Sequence, residues 1–507
     1  MLTKLLEFLQ DKRIMILGYG REGKSTYKFL REHFPEMLIT IVDSNLELLT
    51  QNIELTEDIY VEVVLGTNYF DYIDQYDLVV KAPGVSLKDY DIEGFKDKIY
   101  SQLQLFLEFV PVYTIGITGT KGKSTTSTLI HKMLIDQGKD ALLLGNIGEP
   151  YFNYFEQMNE NTICVLELSS HALEYVHTSP NIAILLNLFE EHLDHYKSFS
   201  HYEAAKYNIV KFQKPDDYYI YNVINQNMIA FEKEHLDEFG IKFDSHKYAV
   251  LNNLDNEQNL DNSDVHELEK HIEENKYENY IAIKNNNIVY NGEVLCSSDF
   301  NRTLLGDHNL NDILFVFCVA KILNLDIPMF LRTLSSFKPL EHRLEFVVSL
   351  DGVDYYNDSI STIPAATINA VTSLERIKPV DTLIVGGKNR GVNLEDLYKF
   401  LLKCKVRNII CMPKTGEFIY DFLKANLKNV SETEEGLFVH DDQMSIKENM
   451  IEKVKKVETI QEAVYYGKLL TKKNSICLLS PAASSYGYFK NFEDRGRQYK
   501  QAILPER

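Results

Sequence analysis

Ile115-Gly116-Ile117-Thr118-Gly119-Thr120-Lys121-Gly122-Lys123-Ser124-Thr125-Thr126 is the stretch whose reading decides the fold. An apolar, β-branched run over 112–117 stops at a glycine-rich turn. The turn ends in Gly-Lys-Ser-Thr, and a helix-like segment follows over 127–134. Strand, glycine loop, Lys-Ser/Thr and helix are how a chain wraps nucleotide phosphates. Backbone N–H groups and the helix N-terminus face the anion, the lysine reaches the β- and γ-phosphates, and the hydroxyl holds Mg²⁺. Gly119, Thr120, Lys121, Gly122, Lys123, Ser124 and Thr125 are therefore the expected ATP-binding loop.

A second loop competes for that assignment. Gly18-Tyr19-Gly20-Arg21-Glu22-Gly23-Lys24-Ser25 fits G-x-x-x-x-G-K-[ST] letter for letter, whereas Ile117 stands where the central loop would need its first Gly. The same segment also reads G-x-G-x-x-G. It opens after an apolar run over 13–17, and Asp43 follows the next apolar run, 38–42. That is a Rossmann-like layout, with the acid placed for a ribose hydroxyl. The expectation is ATP on the central loop and a different nucleotide at Gly18, Tyr19, Gly20, Arg21 and Asp43. A tight strand-to-helix turn with no ligand is the plainer alternative for either loop.

Composition narrows the class. A chain of 507 residues is too long for one typical domain, and about three are expected. The 45% hydrophobic content supports full-sized cores, and the net charge of −21 argues against nucleic acid as a partner. Cys164, Cys296, Cys318, Cys404, Cys411 and Cys477 are scattered with no C-x-x-C, so buried free thiols are expected rather than disulfides or zinc. The first residues do not read as a secretory signal, and no apolar run reaches the ~18 residues of a membrane span. A soluble cytoplasmic protein without membrane insertion is expected.

Short β-branched runs alternate with amphipathic helical stretches, the pattern of parallel α/β sheets. Three units are read: 1–108, 109–339 and 340–507, the last with strands near 353–356, 382–385, 408–411 and 475–479. Residues 225–290, rich in Asn, Asp, Glu and Lys, read as a surface excursion or irregular hairpin region. In the central unit, the apolar run 162–166 ends at Glu167, and the run 182–186 leads to Asn187-Leu188-Phe189-Glu190-Glu191-His192-Leu193-Asp194-His195. Acids and His at the carboxyl ends of parallel strands stand where nucleotide folds hold Mg²⁺. Glu167 as a helix cap and His192 as a surface histidine are the plainer alternatives.

Nine motifs then fall in one order: T-G-T-K-G-K-S-T, G-N-I-G (145–148), E-L-S-S (167–170), N-L-x-x-x-H-L-D-H (187–195), A-A-K-x-N-I (204–209), H-N (308–309), H-R-x-E (342–345), Y-N-D-S (356–359) and L-S-P-A…F-K-N-F-E-x-R-G (479–496). In this the chain resembles the Mur ligases over almost its whole length, and its Gly18 loop and C-terminal block resemble the glutamate-adding branch.

The resemblance implies a three-domain α/β fold: a Rossmann-like UDP-sugar domain, a central P-loop ATPase domain and a Rossmann-like C-terminal domain. It implies an ATP-dependent ligase of peptidoglycan precursor synthesis, joining D-glutamate to UDP-N-acetylmuramoyl-L-alanine through an acyl phosphate. A monomer with two Mg²⁺ sites is implied. Lys123, Lys206, His192 and Glu167 would be catalytic. Ser124, Glu167, His192 and Lys206, the last as a carbamate, would serve the metal sites. Asn309, Arg343 and Asp358 would contact ATP. Asn146 and Ser169 would join the Gly18 loop on the sugar nucleotide, and Thr362, Ser485 and Phe492 would receive the glutamate.

Two departures from the family pattern stand out. The family reads D-S-K-x-T where this chain has Asp358-Ser359-Ile360-Ser361-Thr362, so a lysine that meets an acceptor carboxylate is missing. Arg390, in Gly386-Gly387-Lys388-Asn389-Arg390-Gly391, is the nominated replacement, and L-glutamate or another amino acid stays open as the acceptor. Asp312 stands where a second family Asn is usual. A non-catalytic nucleotide-binding relative is the remaining alternative.

Overall fold

The computed structural model describes residues 2–66, 73–145, 150–191, 195–251, 276–304, 307–338, 341–375, 377–388, 393–440, 450–485 and 487–504. Its β-branched runs form three sheets, each with a parallel core. Strands that are apolar on both faces require helices on both sides, and the alternating elements supply them.

The first sheet has the spatial order Val61–Leu65, Ile39–Asp43, Ile14–Leu17, Leu78–Lys81, Ile99–Tyr100, and every neighbouring pair is parallel. This third-second-first-fourth-fifth order reverses direction beside the first strand, and ligands of open α/β sheets bind at such a switch point. Gly18 follows that strand directly.

The second sheet runs Glu293–Ser297, Asn287–Tyr290, Asn279–Lys284, His246–Leu251, Tyr218–Asn222, Ile182–Leu185, Tyr113–Thr118, Ile163–Glu167, Ala141–Gly145. It is parallel from Asn279–Lys284 onward, with an antiparallel hairpin at one edge. The helix Lys123–Asp136 covers it with Leu129, Ile130, Met133 and Leu134, all fully buried.

The third sheet runs Glu345–Leu350, Val353–Asn357, Ser475–Leu479, Val380–Gly387, Asn408–Lys414, Lys453–Lys456, Gly436–Val439, Val430–Thr433. Its middle is parallel and its margins antiparallel. The four strands expected from sequence in this region are all present within it.

By contacts the chain forms two compact units. Met1–Thr303 with His308–Phe337 holds the first two sheets, and Leu304–Asp307 with Lys338–Arg507 holds the third. Among the described residues no helix is long and apolar enough to cross a membrane. All six cysteines are free, and all but the half-buried Cys296 are buried.

The expectation for 225–290 holds in part, since Asn279–Lys284 and Asn287–Tyr290 form a hairpin, and otherwise needs correction. Its described parts are regular: a helix Gln226–Glu234 capped by the Asn225 side chain, and two parallel strands, His246–Leu251 and Asn279–Lys284, that widen the second sheet. The polar composition hid short apolar triplets. Ala249, Val250 and Leu251 are buried, as are Ile281 and Ala282. Residues 252–275 lie outside the described part.

Candidate active site

The strand Tyr113–Thr118 lies between Ile163–Glu167 and Ile182–Leu185, so the segments following all three leave the same sheet edge. Asn187 fastens the phosphate loop to that edge. Its carbonyl accepts from the Thr120 N–H at 3.0 Å, its Oδ1 accepts from the Lys121 N–H at 2.9 Å, and its Nδ2 donates to the Lys121 carbonyl at 3.1 Å. Thr120 Oγ1 pairs with the Tyr202 hydroxyl at 2.8 Å and accepts from the Phe189 N–H at 2.9 Å.

The loop turns into its helix through Gly122, which has φ +87°, a region that L side chains avoid. A Cβ there would also stand 2.5 Å from Asp312 Oδ1. Asp312 thus packs against the start of the phosphate-loop helix, and Asn309 is buried on the same helix, Asp307–Ile322.

Two lysines converge on one carbonyl. Lys123 Nζ donates to Gly119 O at 2.9 Å and to Thr120 O at 3.0 Å. Lys206 Nζ donates to the same Gly119 O at 2.8 Å. Lys206 comes from the helix Phe199–Lys211, is 2% exposed, and holds its amine 4.9 Å from the centre of the Tyr202 ring. Burial drives its pKa well below the ordinary lysine value, and the neighbouring charge of Lys123 pushes the same way.

Glu167 ends its strand 1% exposed beside this loop, in register with Ile117. Among the described residues no cluster of three or more His, Cys, Asp or Glu could hold a metal. His192 lies outside the described residues, as do Asn146 and Arg390.

At the first glycine loop, Asp43 Oδ2 accepts from the Tyr19 N–H at 2.7 Å, so the acid braces the loop. Gly18 has φ +93°, and a Cβ on Gly23 would meet Gly18 O at 2.1 Å, which is the close strand–helix approach the motif predicts. Arg21 Nη2 reaches the Gly145 carbonyl at 3.4 Å. Ser169 spends its hydroxyl as a cap, accepting from the Ala172 N–H at 3.1 Å. Behind the loop a buried set was not foreseen: Lys81 and His195 share Glu174 Oε2 at 3.7 and 3.1 Å, and burial pushes the Glu22 carboxyl up to about 7.

In the second unit, Asp358 is buried. It accepts from Ser480 Oγ at 2.7 Å and from the Leu344 N–H at 3.2 Å. Burial nonetheless pushes its carboxyl up to about 6, against the pull of these bonds and of the Arg343 charge. Arg343 Nε is a buried donor with no hydrogen-bond partner among the described residues.

Arg495, which is fully buried, bonds to the segments on which the acceptor candidates were expected. It donates from Nε to Ser359 Oγ at 3.0 Å, from Nη2 to Ser359 O at 2.8 Å and from Nη1 to Ala483 O at 3.0 Å. Ser359 Oγ in turn donates to the Phe492 carbonyl at 2.8 Å, and Ser485, two residues beyond Ala483, is 2% exposed. Ile360 shares the turn of Ser359, and Thr362 follows two residues later.

Sequence reasoning passed over Arg495, although it stands inside the quoted F-K-N-F-E-x-R-G block. It also passed over Lys388, whose N–H donates to Ser484 O at 2.7 Å and whose Cδ lies 4.0 Å from the Cβ position of Gly487. A cation two residues before Arg390 was the available signal.

With this geometry the relatives can be compared. Residues 117–320 match the family described as Mur ligase middle domain. A UDP-N-acetylmuramoylalanine–D-glutamate ligase of Clostridium botulinum is 31% identical over 506 residues, 99% of this chain and 98% of the relative. One from Caldanaerobacter subterraneus subsp. tengcongensis is 28% identical over 98% of this chain and 99% of its own. Among solved structures, the UDP-N-acetylmuramate-alanine ligase MurC of Thermotoga maritima aligns with TM-score 0.52 at 16% identity, covering 97% of this chain and 98% of that one. The MurF ligase of Thermotoga maritima, solved in complex with ADP, aligns with TM-score 0.50 at 14% identity, covering 92% and 95%.

The chain belongs to the Mur ligase family. Within that family its sequence is similar to the UDP-N-acetylmuramoylalanine–D-glutamate ligases.

Proposed function

We propose that this protein is an ATP-dependent ligase that joins the amine of D-glutamate to the alanyl carboxylate of UDP-N-acetylmuramoyl-L-alanine. The observation that carries this reading is the meeting of Lys123 and Lys206 on the Gly119 carbonyl, at 2.9 and 2.8 Å. Phosphoryl transfer asks the protein for positioning and charge rather than for a nucleophile. Lys123 sits where its ammonium can leave the loop carbonyls for the terminal phosphates of ATP.

Two neighbouring lysines on one carbonyl repel, and the buried one gives up its proton more readily. A neutral amine is the form that captures CO₂. Carbamylation would convert Lys206 into an anion facing the phosphate loop, which suits an active site built around cationic charge.

Ser124, Glu167, His192 and the Lys206 carbamate would hold Mg²⁺. Mg²⁺ takes few protein ligands beside phosphates and water, so no three-carboxylate cage is required. When bound, the metal neutralises charge on the transferring phosphoryl group. The orphaned Nε of Arg343 suits a phosphate oxygen, Asp358 suits a ribose hydroxyl, and Asn309 suits the adenine. The alanyl carboxylate attacks the γ-phosphorus and ADP leaves. The glutamate amine then attacks the acyl phosphate, and inorganic phosphate departs as the amide forms.

The Gly18 loop with Tyr19, Gly20, Arg21 and Asp43, joined by Asn146 and Ser169, would hold the sugar nucleotide. Thr362, Ser485 and Phe492 would hold glutamate, with Lys388 or Arg390 supplying the cation that Ile360 lacks. The three domains would span 1–108, 109–339 and 340–507. A coupled assay of ADP release tests the whole reading. Turnover should require both the sugar nucleotide and glutamate, and Lys123→Ala should abolish it.

A further inference from the structure

The strands Ile14–Leu17 and Tyr113–Thr118 each run into a glycine loop, and one carboxylate is tied to the surroundings of both. Lys81 closes the strand Leu78–Lys81 in register with Leu17, the residue before Gly18. Ala82 comes next. Its N–H donates to Leu17 O at 2.8 Å, and its Cβ lies 3.0 Å from the Cβ position of Gly18. Lys81 therefore sits at the foot of the first loop. It is buried, with its ammonium 3.7 Å from Glu174 Oε2 and 5.2 Å from the centre of the Tyr175 ring. Burial lowers its pKa, and the carboxylates of Glu174 and Glu22 act against that.

Glu174 belongs to the second sheet's side. It follows the helix Ser170–Leu173, which begins three residues after Glu167. Asn208 holds its backbone, donating from Nδ2 to Leu173 O at 3.0 Å and to Glu174 O at 3.4 Å. Asn208 stands on the helix Phe199–Lys211, which also carries Lys206 to the Gly119 carbonyl at 2.8 Å. His195 Nε2 pairs with the same Glu174 Oε2 at 3.1 Å, and the His195 carbonyl accepts from Ser86 Oγ at 3.0 Å. The first glycine loop is thus linked through Lys81, Glu174 and one helix to the phosphate loop. The two sides also meet elsewhere, with Phe29 packed on Phe152 and Phe155 at ring distances of 4.6 and 5.3 Å.

We propose that Lys81 and Glu174 are positioning residues that fix the separation of the two loops, so that the alanyl carboxylate of the sugar nucleotide meets the γ-phosphorus of ATP. This rests on the ligase reading and adds to it two residues that act through the loops. The relative placement of two bound reactants governs the chemical step and not the binding of either. A displacement of about 1 Å can cost on the order of 100-fold in rate.

The test uses the full chain with Lys81→Met, Glu174→Gln and both together, each first checked for folding by circular dichroism and Tm. The kcat for ligation should fall roughly 10- to 100-fold in each. The Kd values for ADP and for UDP-N-acetylmuramoyl-L-alanine, by calorimetry, should stay within about twofold of wild type. The double variant should lose no more than either single one, as two residues acting as a unit do. Glu174→Gln strips a buried ammonium of its paired carboxylate, so the double variant, which removes both charges, decides where the single one fails to fold. Turnover in wild type with an unchanged kcat in the folded double variant overturns the positioning role alone. Loss of kcat matched by equal weakening of both ligands also overturns it, by showing a merely structural role. No ligation by wild type removes the ligase reading and this proposal with it.

Discussion

Lys206 Nζ donates a 2.8 Å hydrogen bond to the Gly119 carbonyl, inside the loop expected to carry the phosphates of ATP. The contact ties a helix to the phosphate loop through an amine whose pKa burial and the Lys123 charge both push down.

Lys206→Ala should therefore lower turnover by about 100-fold, the upper scale for removing a group that supports a metal site. Small carboxylates such as acetate or formate should restore part of it, since they would stand in for the proposed carbamate. The neutral amine gains on the ammonium as pH rises through the lowered pKa, so wild-type activity in CO₂-depleted buffer should recover faster with bicarbonate at higher pH. Full activity of the alanine variant, by ADP release, would remove the carbamate from the account.

Gly122→Ala combines two penalties, a positive φ and a Cβ placed 2.5 Å from Asp312 Oδ1. Strain of this kind costs on the order of 1–3 kcal/mol. The variant should show both a lower Tm and a raised KM for ATP. Gly138→Ala is the control. It has φ +71° but nothing within 4 Å of the added methyl, so it should lose stability without a change in ATP binding. Equal effects of the two variants on KM would show that the Asp312 approach is immaterial.

Asp358 carries a carboxyl pushed up to about 6 by burial. Its folded value lies above the ~3.9 of a free Asp. Its contribution to stability is therefore present below the unfolded value and is lost as pH rises toward 6. The proposed ribose contact runs the other way, because only the ionised form is a full acceptor. The KM for ATP should rise as pH falls through about 6 in wild type. In Asp358→Asn it should be raised at every pH and flat across that window. A flat wild-type profile measured by initial rates would refute the ribose role.

Arg495 holds Ser359 and Ala483 with three hydrogen bonds from one guanidinium. Lysine cannot reproduce the fork. Arg495→Lys should raise the KM for glutamate by roughly tenfold, about one charge-assisted hydrogen bond, with a smaller effect on that for ATP. Arg495→Ala should also lower the Tm, because buried carbonyl groups lose their donor. Unchanged glutamate kinetics in a folded Arg495→Lys would confine its role to stability.

Much of this was legible in the chain itself. The strands and the glycine loops announce themselves through local rules: β-branched runs, Gly at positive φ, and hydroxyls at helix starts. Glu167 and Asn187 could be placed at one edge because parallel strands deliver their ends together. The regular elements within 225–290 were not legible, since Asn-rich flanks outweigh three buried apolar residues in any window. Arg495 was hidden for a different reason. The bond from its guanidinium to Ser359 spans 136 positions of sequence, and no local pattern encodes it.

The most direct measurement is product analysis by mass spectrometry with ATP, UDP-N-acetylmuramoyl-L-alanine and either enantiomer of glutamate. The account predicts a product equal in mass to the two substrates less one water, one ADP per product, and a strong preference for D-glutamate, abolished in Lys123→Ala. ADP release without an amide product, or equal use of L-glutamate, would contradict it.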